Sequence, residues 1–193
     1  LGFVLDALPD EPLMVAIEEL VEGMFDALVE QLTELLPDFG ERLAQDSKAV
    51  ESFGNPTQKP DGDRRRDTDA DHGAKSYSGT TKDGKAWERV TYWFGYKLHL
   101  IVDSTYELPV AFEVTKASEA DISQAEPLVD KIAERHPEVI ERAEVYSADR
   151  GYDSGPLNRK LYDDYDICPL IDIRNCWQDG ETTRPLYPER ADN

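Results

Sequence analysis

Apolar residues recur at threes and fours from Leu13 through Ala16, Ile17, Leu20, Met24, Leu28, Leu32 and Leu35. That is the spacing of one face of an α-helix. Pro12 fits its first turn and Pro37 stops it, so a helix is predicted from there to about Leu36. Glu18, Glu19, Glu22 and Glu30 fall opposite the apolar stripe, which reads as the packing face. Arg42 to Lys48 reads as a short strand. Residues 54–86 read as loop, being rich in Gly, Pro, Asp and Lys with few apolar anchors. From Glu88 the period changes to two. Val90, Tyr92, Phe94, Tyr96, Leu98 and Leu100 alternate with Arg89, Thr91, Trp93, Lys97 and His99, which predicts one long strand or two bent at Gly95. A turn at Ser104–Glu107 and a strand from Leu108 to Thr115 complete an antiparallel hairpin. Asp121–His136 then reads as a helix, Glu144–Ala148 as a strand, Ser154–Tyr165 as a helix capped by Asp153 or Ser154, and Asp166–Ile173 as a strand.

Antiparallel strands first and βα units afterwards predict an α/β fold, a mixed sheet flanked by helices. The 193 residues suffice for one sizeable core, and 39% hydrophobic content suits a globular chain. Charge changes the picture more. Asp and Glu number 41 against 21 Lys and Arg, a net charge of −20. That is not the basic footprint of a self-sufficient DNA-binding module. Cys168 and Cys176 are too few for a disulfide framework, and no stretch approaches a membrane span, so a cytoplasmic protein is expected. The start lacks both a Met and a signal peptide's charged region, and the chain reads as an excerpt of a longer one.

The candidate chemistry lies in two aspartates. Asp46 sits on a short strand after Leu43 and Ala44, and Asp149 at the exit of another, before Arg150-Gly151-Tyr152-Asp153. If the strands are neighbours, the two carboxylates emerge together and repel unless a cation joins them. Mg²⁺ or Mn²⁺ suits carboxylate and water ligands and leaves positions for phosphate oxygens. A chain so rich in Asp also places such pairs by chance. Lys97, Arg150 and Lys160 are candidate phosphate contacts or solvated surface. Arg64-Arg65-Arg66 reads as a loop neutralised by nearby aspartates, Asp103 as a turn residue and His99 as structural or solvent-facing. Trp93 and Phe94 read as core rather than a base-stacking platform.

The segments Tyr92–Asp103 and Glu107–Thr115 resemble the central hairpin of DDE transposases of bacterial and archaeal insertion sequences. Ser147-Ala148-Asp149-Arg150-Gly151-Tyr152-Asp153 resembles the strand bearing their second catalytic Asp, and Gln45-Asp46-Ser47 the first. Asp67-Thr68-Asp69-Ala70-Asp71 through Lys75 is similar to a segment that many of these proteins carry between the two. The resemblance implies an RNase H-like fold with Asp46 and Asp149 as catalytic metal ligands. It also implies Mg²⁺ or Mn²⁺ as cofactor and cleavage and transfer of DNA strands at transposon ends. Its further implications are DNA and a homo-oligomer on DNA as partners, and association with the nucleoid when bound there. It divides the chain into an N-terminal helical segment (1–38), an incomplete catalytic core (39–175) and the start of an insertion or linker (176–193). The family's third acidic ligand, a Glu on a later helix, has no counterpart. Glu181 and Glu189 lie in turn-like sequence, so the fragment by itself is expected to be inactive. Two rivals remain at this point: an inactive transposase remnant serving as a DNA- or protein-binding module, and an unrelated RNase H-like nuclease acting on RNA–DNA hybrids.

Overall fold

The computed structural model describes residues 11–54 and 67–173 of the chain. Helix α1 (Glu11–Leu35) leads into β1 (Arg42–Glu51), β2 (Asp71–Thr80), β3 (Ala86–Asp103) and β4 (Leu108–Lys116). A 3₁₀ turn at Asp121–Gln124 precedes α2 (Ala125–Arg135), α3 (Pro137–Arg142) and β5 (Val145–Ala148). A second 3₁₀ turn, Arg150–Tyr152, leads to α4 (Gly155–Arg159), a π-helical turn at Lys160–Asp164 and β6 (Cys168–Ile171). The sheet runs β2-β3-β1-β5-β6, with β4 on β3. β1 and β4 pair antiparallel with β3, while β5 is parallel to β1 and β6 parallel to β5. The mixed α/β sheet read from the sequence is therefore present.

The core gathers Leu43, Ile101, Val110 and Tyr146 from the sheet with Leu128, Val129, Ile132, Val139, Leu157 and Leu161 from the helices, all at most 1% exposed. Helix α1 joins it through Val29, backed by Phe25 and Leu32. Lys131 reaches Glu22 at 2.8 Å, and Arg135 reaches Asp26 at 2.5 Å, pinning α1 to α2. The predicted packing stripe is corrected here. Ile17, Leu20, Met24, Leu28 and Leu35 are 43–75% exposed. The helix carries apolar residues on two adjoining faces, and only the one around Phe25, Val29 and Leu32 meets a partner.

Two further expectations change. The segment read as loop contains β2, whose ladder runs from Asp71↔Gly95 to Thr80↔Ala86. Its small polar residues carry no apolar alternation, and the partner strand alone supplies its order. On β3 the inward face beyond Gly95 carries His99, Ile101 and Asp103, all fully buried, whereas Val90 and Tyr92 of the expected apolar face are 39% and 74% exposed. Gly95 takes φ +151°, and a side chain there would strike the Val50 carbonyl, so the strand passes this point unbroken. Ser154 makes no side-chain cap bond to α4.

Buried His99 bonds Thr115 Oγ1 through Nε2 at 2.8 Å. Burial holds its pKa below the ordinary value, against the pull of Asp121, Glu113 and Glu119 and with the help of Lys97. The unfolded chain protonates this histidine first, so stability is full above about pH 6.5 and is lost as pH falls below it. Unfolding free energies from urea denaturation at pH 7.5 and 5.5 should differ by about 1 kcal/mol in the parent, and by clearly less in His99→Gln.

Candidate active site

Parallel pairing of β1 with β5 matches Leu43 to Tyr146 and Gln45 to Ala148. Asp46 and Asp149 each follow directly on that last pair. Alternation along the strands then sends both carboxylates from the same face, opposite the one carrying Gln45 and Tyr146. Adjacent strands lie about 4.8 Å apart, so the two side chains start within the span of a shared cation. Both residues are exposed, and neither forms a salt bridge with a described residue. Local backbone orients each of them. Asp46 Oδ1 accepts from Ser47 N at 2.7 Å, and Asp149 Oδ1 accepts from Gly151 N at 2.7 Å, capping the 3₁₀ turn that follows.

That turn delivers Tyr152, the residue that the sequence reading passed over. Its ring is 1% exposed. Its hydroxyl sits beside Ser47 but makes no hydrogen bond of ordinary geometry. Burial raises its pKa, and Asp121, Asp46 and Asp149 raise it further, against Ser47. The phenol therefore stays protonated, a donor held among carboxylates. The aromatic three positions after Asp149 was the available signal, since a 3₁₀ turn brings it back beneath the strand end. On the inner side of the sheet, Tyr146 donates to Gln45 Oε1, fixing the two strands under the site.

The candidate phosphate contacts fare differently. Lys97 is held by Asp121 at 3.0 Å and by the Glu119 carbonyl at 2.6 Å. Lys160 is held by Asp130. Arg150 stays largely exposed, with Asp172 at 3.9 Å. Trp93 and Phe94 are core, 8% and 9% exposed. Asp103 serves the turn as read, and also accepts from Gly40 N. Arg64–Arg66, Glu181 and Glu189 lie outside the described residues. Among the described residues no group of three acidic, His or Cys side chains is arranged to hold a metal ion. The donor set still fits Mg²⁺ or Mn²⁺, which binds through one or two carboxylates and fills its other positions with water and phosphate.

No curated protein matches the chain. Among solved structures it is similar to the piggyBac transposase in a synaptic complex with hairpin DNA, at 13% identity and a TM-score of 0.42, over 76% of this chain and 27% of that one. It is also similar to the Mos1 transposase in a paired-end complex with the left transposon end, at 15% identity and a TM-score of 0.36, over 92% of this chain and 47% of that one. The chain thus spans less than half the length of either. Residues 40–188 match the family described as the transposase DDE domain, which takes in β1 to β6 and both aspartates, and the chain belongs to that family.

Proposed function

We propose that the chain carries part of the catalytic centre of a DNA transposase of the insertion-sequence type, with Asp46 and Asp149 as ligands of a divalent cation. The observation that supports this reading is the register of β1 and β5, whose last pair, Gln45 and Ala148, directly precedes these two aspartates, both within the matched residues. Mg²⁺ or Mn²⁺ held there would supply Lewis-acid stabilisation of charge at a phosphodiester. The chain's own contribution is orientation. Backbone N–H groups fix each carboxylate, and the Tyr152 hydroxyl stands ready to donate to a carboxylate or to a substrate oxygen.

Calorimetric titration with Mn²⁺ tests the ligand assignment. The parent chain should bind, and Asp46→Asn and Asp149→Asn should each lose that binding without losing the fold. Retained cleavage of transposon-end DNA by both variants in the full-length protein would refute the reading.

Tyr152→Phe gives a separate expectation. It removes a buried hydroxyl that lacks a partner, so thermal stability should hold or rise by up to about 1 kcal/mol. Cation affinity should nevertheless fall about 10- to 100-fold, the usual effect of removing a group that orients the ligands. Unchanged affinity with a clear loss of stability would leave Tyr152 as a packing residue only.

A further inference from the structure

On the N-terminal side of Gly95, β3 pairs with β2 alone. β2 and the first half of β3 form a ribbon whose two faces differ in chemistry. The pairs Gly73↔Trp93, Lys75↔Thr91, Tyr77↔Arg89 and Gly79↔Trp87 point to one side. Ala74↔Tyr92, Ser76↔Val90 and Ser78↔Glu88 point to the other. On the first face both indoles lie across the ribbon. A Cβ at Gly73 would overlap Trp93, and one at Gly79 would come within 2.9 Å of Trp87. Trp93 is buried at the root, while Trp87 and Tyr77 stay 44% and 46% exposed.

This face runs into a groove of about 320 Å³ at the ribbon's root, lined by Ser47, Lys48, Lys75, Tyr77, Thr91 and Lys97 among others. By strand alternation Ser47 points to the face of β1 that also carries Gln45, so the groove lies across the sheet from the Asp46 side chain. Its one described acidic wall, Asp121, is already neutralised by Lys97 at 3.0 Å. Lys48, Lys75 and Arg89 form no salt bridge with a described residue. The ribbon as a whole carries Lys75, Lys82, Lys85 and Arg89 against Asp71, Asp83 and Glu88, a slight positive excess in a chain of net charge −20. Exposed cations interleaved with half-exposed aromatic rings match a phosphodiester strand with accessible bases. A fully paired duplex keeps its base faces stacked and offers nothing to Tyr77 and Trp87, so the chemistry favours an unpaired strand.

We propose that the ribbon face bearing Lys75, Tyr77, Trp87, Thr91 and Arg89, with the groove at its root, binds an unpaired stretch of DNA. The polymer's identity rests on the transposase reading above. Binding of a short fluorescent oligonucleotide to the chain, at low salt with chelator present, tests the surface apart from any cation. Tyr77→Ala and Trp87→Ala should each weaken binding about tenfold. Lys75→Gln and Arg89→Gln should each lower the slope of log affinity against log salt by about 0.7. Tyr92→Ala, on the opposite face, should bind as the parent does. If Trp87→Ala disturbs the ribbon's circular dichroism, Trp87→Phe and the two glutamine variants carry the test. Equal loss in Tyr92→Ala, equal affinity for the paired duplex or for heparin, or no binding by the parent would overturn the proposal. If ribbon variants bind normally while Asp46→Asn loses the cation, the ribbon proposal falls and the cation site stands. If Asp46→Asn keeps the cation and ribbon variants lose the strand, the reverse holds.

Discussion

Asp103→Ala should destabilise the fold by about 3–5 kcal/mol, the largest loss expected of any single substitution outside the apolar core. Its carboxylate is fully buried and accepts three backbone N–H groups, from Gly40 at 2.8 Å, Thr105 at 2.9 Å and Tyr106 at 2.8 Å. Two of these close the β3–β4 turn. The third crosses 63 positions of sequence to hold the approach to β1, where Gly40 takes φ +93°. Alanine would leave all three donors buried without acceptors, at about 1–3 kcal/mol each before relaxation. Asp103→Asn keeps one acceptor oxygen and turns the other position into a donor facing an N–H, so an intermediate loss is expected. Urea denaturation of the three proteins checks the order. A loss below about 1 kcal/mol in Asp103→Ala would mean that the turn and the β1 approach are held by other contacts.

Where the sequence was legible, the signal was local. β4, β5 and the strand exit at Asp149 were readable because alternation, turn residues and the Asp-Arg-Gly-Tyr-Asp string all lie within a few residues. β2 was not legible, because its order comes from the ladder with β3, and Ser76, Ser78 and Gly79 carry no apolar signature. The stripe chosen on α1 was right at Leu32 but not at Ile17, Leu20, Met24, Leu28 and Leu35, which stay exposed, for a related reason. Leu20, Met24 and Leu28 are as apolar as Phe25, Val29 and Leu32, and only the position of α2 and β4 decides which face is covered. On β3, alternation gave the strand but not its inward side. His99 and Asp103 are polar yet fully buried, because Thr115 and the turn's N–H groups satisfy them.

The candidate site divides along the same line. The place of Asp149 at a strand exit was readable from its motif. That Asp46 stands beside it depends on a register between strands about a hundred positions apart, which no local pattern encodes. Tyr152 was read only as part of its motif and Asp121 only as the start of a helix, neither as a site residue. Their significance comes from burial and from what they face.

Asp149 caps a turn and is proposed to bind a cation, and its substitutions should separate the two roles. Its Oδ1 caps the 150–152 turn through Gly151 N, and its charge is the feature assigned to cation binding. Asp149→Asn keeps an oxygen that can accept from Gly151 N but removes the charge. Its stability should match the parent within about 0.5 kcal/mol. Asp149→Ala loses the cap as well and should cost about 1 kcal/mol. Both should lower strand cleavage in the full-length protein by about 1000-fold or more, since the loss of one charged ligand removes about 4 kcal/mol of transition-state stabilisation. Asp46→Asn should match Asp149→Asn in activity. The double variant should fall little further, because residues that act as one unit do not add. Fully multiplicative losses would mean that the two carboxylates serve different steps. An Asp149→Ala protein that cleaves normally while melting early would leave Asp149 with the cap alone.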